Sequence, residues 1–187
     1  MMLKISALCL ILMVFSNLSF SQVSYKIDSE NSSMSVEGTS TIHDWEMDVE
    51  QLHASFELAE AGKIQSLKSG QLKIDVESIK SERSLMNKKT YEALKYQSNP
   101  QIKVRLVQLE EANGIGKAKV ELTIAGKTQT VSDDFTLKVL SGDILNIQGE
   151  IDLKMTDYDV IPPVALMGTI KTGDEIKVVY DLFFKKQ

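Results

Sequence analysis

Hydrophobic and polar residues alternate with a period of two along most of this chain. The alternation is clearest over residues 71–77 and 117–124, and it recurs over 135–139, 147–155 and 176–184. Such a pattern buries one face of a β-strand and leaves the other face in water. The chain is therefore predicted to be all-β and built from antiparallel strands.

Turn signals separate these strand-like stretches. Asn113-Gly114, Gly126-Lys127 and Ser141-Gly142-Asp143 each stand between two of them. Asparagine and glycine reach the positive φ values that a tight reversal of the chain requires. Four strands between about Ile102 and Met155 are thus predicted to form a meander.

Further strands are predicted upstream, over residues 25–28, 34–49, 54–58 and 71–77, with a break in the second near Gly38. Open sheet edges promote aggregation, and a one-domain sheet of about eight strands tends to close on itself. We therefore expect an eight-stranded up-and-down barrel whose last strand lies beside its first.

Residues 84–96 interrupt the strand pattern and are predicted to form one short helix. Asn87 is expected to cap its N-terminus, with Met86 and Tyr91 as a hydrophobic staple and Leu94 at helical spacing from Tyr91. Asn99-Pro100 then favours an extended backbone that leads into the next strand. The helix should cover an end or a flank of the barrel.

A second irregular segment runs from residue 157 to residue 173. It carries Pro162-Pro163 among several apolar residues. A connection of this length is unusual in a compact domain and is typical of a lid or a binding loop, while its apolar content argues against disorder. We expect this long apolar loop to pack against the barrel mouth.

The first 21 residues have the parts of a secretory signal peptide. Lys4 precedes an apolar run over residues 5–15, and Ser19-Phe20-Ser21 offers small residues for cleavage before Gln22. Removal of residues 1–21 would leave one barrel domain over residues 22–187. The mature protein is therefore expected in the periplasm or secreted to the medium.

Composition narrows the function classes further. Cys9 is the only cysteine and lies in the predicted signal, so the mature chain would have no disulfide, thiolate metal site or cysteine nucleophile. With 20 basic and 26 acidic residues, it would carry a net charge of −6. A nucleic-acid partner would call for a clustered basic face, so none is expected.

Several short motifs, taken together and in order, resemble the YceI-like family over essentially the whole mature chain. They are Ser40-Thr41-Ile42-His43-Asp44-Trp45, residues 87–96, Asn99-Pro100-Gln101-Ile102, residues 122–128, Asp157-Tyr158 and residues 173–178. The resemblance implies a lipocalin-like antiparallel barrel, periplasmic or secreted, with an elongated apolar cavity that accepts polyisoprenoid or quinone-type lipids. It implies no catalytic residues and no cofactor besides the bound lipid.

The chain differs from the usual family pattern in two places. Lys88-Lys89 stand where an Arg-Asp pair is often found, and the late motif reads Met155-Thr156-Asp157-Tyr158 where an arginine commonly stands upstream of Asp-Phe. Both changes concern the contacts of a ligand headgroup. The apolar cavity is less affected.

Eleven residues are predicted to line the cavity or its mouth, with a solid, side-chain-filled core as the alternative for each. They are Trp45, Met47, Phe56, Ile74, Tyr91, Leu94, Ile102, Val104, Met155, Tyr158 and Leu166. Arg83, Lys88 and Lys89 could meet a diphosphate or another polar head at the mouth, and their alternative is an ordinary solvated helix face.

Three other readings remain open from the sequence. A hydrolase would use His43 and Asp44 near Ser40, although no nucleophile-elbow motif accompanies them. Metal binding is disfavoured, because His43 and His53, expected on neighbouring strands, need a third ligand and a regular strand would point Asp44 away from His43. An outer-membrane barrel would also alternate with period two, with its apolar face outward. The sequence also leaves open two interactions of the whole protein: transient contact with an envelope membrane, and pairing with a second copy to form a homodimer.

Overall fold

The computed structural model describes residues 22–141 and 143–187, so the predicted signal peptide and Gly142 of the third predicted turn lie outside the described residues. The strands are β1 Val23–Ile27, β2 Ser33–Ser40, β3 Trp45–Val49, β4 Leu52–Leu58, β5 Leu67–Asp75, β6 Ile79–Lys80, β7 Gln101–Ala112, β8 Ile115–Ile124, β9 Lys127–Ser141, β10 Ile144–Lys154, β11 Val164–Ala165 and β12 Ile170–Lys186. One α-helix, α1, spans Ser84–Ala93, and short 3-10 turns cover Ile64–Ser66, Val76–Ser78, Met155–Tyr158 and Leu166–Gly168.

Eight strands form a closed antiparallel ring in the order β1, β4, β5, β7, β8, β9, β10 and β12. The ring closes where β12 pairs with β1, with Tyr25 opposite Lys186 and Ile27 opposite Phe184. The predicted lipocalin-like barrel, with its last strand beside its first, is confirmed.

The short strands β2, β3 and β6 extend the barrel at one end. β2 pairs with β12 on the same edge as β1 but further along, with Met34 opposite Tyr180. β3 pairs with β2, and β6 pairs with β3. These three strands therefore continue the lines of β1, β4 and β5, and β11 adds a short pairing to the start of β12.

The predicted meander is confirmed in β7 to β10, but one turn is displaced. Asn113 and Gly114 both have positive φ, as predicted for the first reversal. In the second, Ala125 and Gly126 have the positive φ values, and Lys127 already begins β9. The prediction of Gly126-Lys127 was therefore one residue late.

The break expected near Gly38 lies further along the chain, between the end of β2 and Trp45. Gly38 sits within β2 because the Trp45 ring packs directly on it: a Cβ built on Gly38 would lie 2.2 Å from that ring. This glycine serves close packing rather than a turn.

The helix is confirmed, but its predicted cap is wrong. α1 begins at Ser84, and Arg83 occupies the N-cap position without a side-chain cap. Asn87 lies inside the helix, where its Oδ1 accepts hydrogen bonds from the Ser81 N–H (2.8 Å) and hydroxyl (2.9 Å). The asparagine holds the strand-to-helix connection instead of capping the helix, so Met86 and Tyr91 do not form the expected staple.

The long apolar loop packs on the barrel over only part of its length. Tyr158 and Val160 are buried, whereas Ile161, Leu166 and Met167 are exposed. Leu166 and Met167 also have positive φ. The expectation that the loop packs against the mouth is correct for its first residues and wrong for its tip.

Candidate ligand cavity

The barrel interior encloses a cavity of about 530 Å³. Its wall receives side chains from the ring strands, from α1 and from the long apolar loop. Small-molecule sites are commonly clefts of roughly 300–1,000 Å³ with mostly apolar linings. The cavity therefore has the size and chemistry of a site for an apolar ligand.

Strand alternation explains why the wall is apolar. Along β12, the inward positions include Ile176, Val178 and Leu182, and along β10 they include Ile151 and Leu153. Successive strand residues point to opposite faces, so the residues between them lie on the outer surface. The period-two pattern of the sequence is the pattern of the cavity wall.

Aromatic rings pack together in the part of the barrel away from α1. Phe56 stacks on Tyr25 with ring centroids 5.2 Å apart and meets Phe184 at 4.8 Å. The Tyr25 hydroxyl accepts a hydrogen bond from the Gly62 N–H at 3.0 Å. Phe56 and Phe184 line this part of the cavity, and its wall continues past them to Ile64, Leu67 and Leu109.

The other end carries the mouth, where the β2–β3 connection, α1 and the long apolar loop meet. The Thr41 N–H donates to the Lys171 carbonyl at 3.0 Å, and the Thr41 hydroxyl donates to the Thr169 carbonyl at 3.3 Å. Ile42, Leu85 and Val164 reach both the cavity and the outer surface. The mouth is therefore rimmed by apolar side chains from three separate segments.

The structure places nine of the eleven predicted lining residues on the cavity wall. They are Trp45, Met47, Phe56, Ile74, Leu94, Ile102, Val104, Met155 and Tyr158. Tyr91 lies off the wall, with its hydroxyl donating to the Glu77 carbonyl at 3.0 Å. Leu166 is 69% exposed at the loop tip. That these residues bind a ligand stays a prediction.

Two of the three predicted headgroup residues, Arg83 and Lys89, lie at the cavity. Lys88 does not contribute to the wall and faces solvent 4.0 Å from Glu92. The Lys89 ammonium lies 3.5 Å from Glu92. Lys154 also lines the cavity and lies 3.6 Å from Glu175, so three cations lie at the cavity and both lysines already have carboxylate partners.

His43 connects the β2–β3 turn to the residue before α1. Its Nδ1 lies 2.6 Å from the Asp44 carbonyl, which can only accept, so Nδ1 carries the proton. Its Nε2 is then free to accept a hydrogen bond from the Arg83 guanidinium at 2.9 Å. Arg83 is thereby held at the mouth by a neutral imidazole.

The same contacts argue against a hydrolase at this turn. The Ser40 hydroxyl donates to the His43 carbonyl at 2.7 Å, and both His43 ring nitrogens are engaged elsewhere. A nucleophile–base pair would need the serine hydroxyl on the imidazole. The triad arrangement is therefore not formed.

The two histidines do not lie on neighbouring strands, contrary to expectation. His43 precedes β3, whereas His53 lies on β4, which continues the line of β3, and pairs with Asp75 at 3.3 Å. Among residues 22–141 and 143–187, no group of three or more His, Cys, Asp or Glu side chains is arranged to hold a metal ion.

A hydrogen-bonded pair of polar residues on the wall was missed from the sequence. Asp133 and Tyr180 both line the cavity, and the Tyr180 hydroxyl donates to Asp133 Oδ2 at 2.7 Å. Burial raises the pKa of the Asp133 carboxyl, and burial next to Asp133 raises the pKa of the Tyr180 hydroxyl. The signal was available, because Asp133 falls in phase with Val131 and Phe135 on the inner face of β9.

The outer face of the barrel is polar and charged. Ion pairs join Lys177 to Glu150 (2.9 Å) and Lys117 to Asp134 (3.3 Å) on outward positions. An outer-membrane barrel needs an apolar band on this face. The orientation of the strands therefore favours the ligand-cavity interpretation.

Within the described part of the chain, no helix is both long and apolar enough to cross a membrane.

Comparison with known proteins agrees with the fold. A family model described as the YceI-like domain matches residues 25–184. No curated protein matches the chain.

Solved structures give the same picture. BcnA of Burkholderia cenocepacia is 20% identical, with a TM-score of 0.72 over 84% of this chain and 98% of that one. A polyisoprenoid-binding domain from Saccharophagus degradans is 17% identical, with a TM-score of 0.64 over 88% and 99%. The Campylobacter jejuni YceI protein is 16% identical, with a TM-score of 0.61 over 75% and 84%. At these identities the similarity establishes the fold.

Proposed function

The chain belongs to the YceI-like family, and on that premise we propose that it binds an apolar lipid of polyisoprenoid or quinone type inside its barrel. The observation that carries the proposal is the cavity of about 530 Å³ with its apolar wall. The Saccharophagus degradans domain of the same fold is described as polyisoprenoid-binding, which supports this ligand class. The role is that of a carrier or a sequestering protein rather than an enzyme.

Apolar burial alone supplies enough free energy for such binding. Each buried CH₂ contributes about 0.8 kcal/mol, so about fifteen buried carbons contribute roughly 12 kcal/mol before ordering costs are subtracted. A flexible apolar chain therefore needs few polar contacts to bind tightly. This explains why the lipid site carries no conspicuous sequence motif.

The polar end of an anionic lipid would lie at the mouth. Arg83 and Lys89 line the cavity there, and the Arg83 guanidinium donates a hydrogen bond to the neutral His43 ring. A phosphate or diphosphate would offer a stronger, charge-assisted partner for the guanidinium.

The exposed apolar side chains around the mouth support exchange of the lipid with a membrane. We define this mouth rim as Ile42, Leu85, Val164, Leu166 and Met167, all of them at least half exposed. Exposed apolar patches of this kind mark interaction surfaces. Ile42, Leu85 and Val164 line the cavity at its opening, and Leu166 and Met167 follow Val164 in the same loop, so the rim would let a lipid pass between bilayer and barrel without crossing water.

The proposed location is outside the cytoplasm, in the periplasm or the medium, because residues 1–21 have the composition of a signal peptide. N-terminal sequencing of the exported protein should begin at Gln22. The mass of the purified protein in solution decides between a monomer and the homodimer considered from the sequence.

Mass spectrometry of organic extracts tests the proposed function directly. Protein purified from its native envelope without detergent should release a stoichiometric apolar lipid. The same protein, stripped of lipid, should take up a polyisoprenol or a quinone. If purified protein contains no lipid and neither compound binds, the proposal fails.

A further inference from the structure

The inner face of β9 contains one acid in an otherwise apolar row. Inward positions along this strand are Val131, Asp133, Phe135 and Leu137, and three of them line the cavity. The Asp133 carboxyl receives the Tyr180 hydroxyl at 2.7 Å from across the barrel wall. A carboxyl in this position is unfavourable unless it is paired, because burying an ionisable group costs free energy.

The surrounding structure makes room for this pair. Tyr180 on β12 reaches Asp133 by passing over Gly149 on β10, where a Cβ would lie 2.3 Å from the hydroxyl oxygen. The described pairing between β9 and β10 ends at Phe135 and Gly149, next to Asp133. Asp133 is six residues from the mouth end of β9, roughly 20 Å along the strand.

The pair leaves hydrogen-bonding capacity unused. Asp133 Oδ1 is buried and has no hydrogen-bond partner among residues 22–141 and 143–187. The hydroxyl of Tyr158, on the wall of the same cavity, is also buried without a partner in that part of the chain. Buried polar atoms in folded proteins nearly always have a hydrogen-bond partner, so these two atoms are unusual.

A purely structural role explains these features poorly. A Tyr–Asp hydrogen bond satisfies one carboxyl oxygen and leaves the other desolvated, which costs more than an apolar pair of similar volume. Burial raises the pKa of the Asp133 carboxyl, in keeping with an incompletely compensated site. A ligand that donates a hydrogen bond would complete it.

We propose that Asp133 is a polar anchor within the cavity, oriented by Tyr180, which accepts a hydrogen bond from a neutral hydroxyl carried by the apolar ligand. Oδ1 is covered in the structure, so the ligand would reach it by turning the carboxyl about its terminal torsion, which is broad for Asp. A carboxylate repels an anionic head, so such a head remains at Arg83 and Lys89. The inference rests on the proposed function and specifies its ligand: a long-chain alcohol rather than a ketone.

Replacing the hydrogen-bond acceptor at residue 133 by a donor tests this proposal. In Asp133→Asn, the carbonyl oxygen keeps the Tyr180 hydrogen bond, and the amide presents N–H donors where the protein had an acceptor. A long-chain primary alcohol and the methyl ketone of equal length compete with a fluorescent apolar probe for each protein. Wild-type protein should prefer the alcohol, and the ratio of the two affinities should fall about tenfold in the variant.

Asp134→Asn is the matched control, because Asp134 points outward on the same strand and pairs with Lys117 at 3.3 Å. It should keep the wild-type ratio. An Asp133→Asn ratio equal to that of wild type overturns the anchor. If not even an alkane of that length displaces the probe from wild type, the proposed function itself has failed, which is a different result.

Isotope-edited infrared spectroscopy of wild-type protein gives a second readout that needs no variant. With ¹³C-labelled aspartate carboxyls, the difference spectrum on adding the alcohol should show one shifted carboxyl band, and the ketone should leave it in place. Identical difference spectra for the two compounds contradict the proposal.

Discussion

Gly149 lies directly beneath the Tyr180 hydroxyl: a Cβ built on this glycine would lie 2.3 Å from that oxygen and 3.0 Å from the Asp134 carbonyl. Because Gly149 has no side chain, the Tyr180 side chain has room to extend along the inner wall of the barrel from β12 to β9. The absence of a side chain on Gly149 is what allows the Tyr180–Asp133 hydrogen bond to form.

Gly149→Ala should destabilise the protein by about 1–3 kcal/mol, because the tyrosine must leave its position or the strands must separate. Denaturant unfolding measures the change. Gly70→Ala is the matched control on β5, since its added Cβ would find its nearest neighbour at an ordinary 3.5 Å. Equal stability of the two variants would show that Tyr180 is not held over Gly149.

Tyr158→Phe should be at least as stable as wild type at neutral pH, because the hydroxyl that it removes is buried without a partner among the described residues. Burial raises the pKa of Tyr158 from 10.0 to about 12. A raised folded-state pKa gives stability that is complete below the unfolded value and is lost as the pH rises through the folded value.

The stability advantage of Tyr158→Phe should therefore grow by roughly 2 kcal/mol between about pH 10 and pH 12. Chemical unfolding at several pH values measures it. Tyr91→Phe is the comparison variant and should lose stability at neutral pH, since Tyr91 donates a hydrogen bond to the Glu77 carbonyl. Parallel pH curves for Tyr158→Phe and wild type would contradict the assignment.

Charge at the mouth should matter only for lipids with an anionic head. A double variant, Arg83→Gln with Lys89→Gln, should bind a polyisoprenyl phosphate about tenfold more weakly than wild type and leave the affinity for the free polyisoprenol unchanged. Lys88→Gln is the control, because Lys88 lies off the cavity wall beside Glu92. Equal losses for both lipids would mean that these cations serve stability rather than headgroup binding.

The mouth rim should affect the rate of lipid exchange more than the affinity. Leu166→Asp should slow transfer of a fluorescent lipid from vesicles by at least about threefold, because an aspartate at the rim weakens contact with the bilayer. Aspartate also tolerates the positive φ of this position better than leucine does.

Ile115→Asp controls for the exposed hydrophobic surface in general, since Ile115 is 71% exposed at the turn between β7 and β8, away from the mouth. It should transfer lipid at the wild-type rate. If both variants slow transfer alike, the mouth rim has no special role in exchange.

The barrel could be predicted from the sequence because alternation and turn residues act locally. Asn113-Gly114 reverses the chain by its own backbone preference, and the period of two in β10 and β12 reports which face is buried. Gly38 was misread because the reason for this glycine is the Trp45 ring, which only the folded pairing of β2 with β3 brings to it.

The polar part of the site was less accessible to sequence reasoning. The alternation places Asp133 on the same face as Phe135, but its partner Tyr180 is 47 residues away in the chain, so the hydrogen bond between them could not be predicted. The position of Leu166 depends on positive φ values at Leu166 and Met167. Leucine and methionine rarely adopt this conformation, so the sequence gives no sign of it. Long-range pairing and local strain, rather than residue type, decided these positions.

Filling the cavity tests the central claim most directly. Val120→Trp places a large ring inside, because Val120 lines the wall on β8, whereas Lys119→Trp places the same ring on the outer face of that strand. Both variants are titrated with a polyisoprenol, and thermal unfolding verifies that each remains folded. The account predicts at least a tenfold loss of affinity for a folded Val120→Trp and wild-type affinity for Lys119→Trp; unchanged affinity in Val120→Trp would contradict a ligand site inside the barrel.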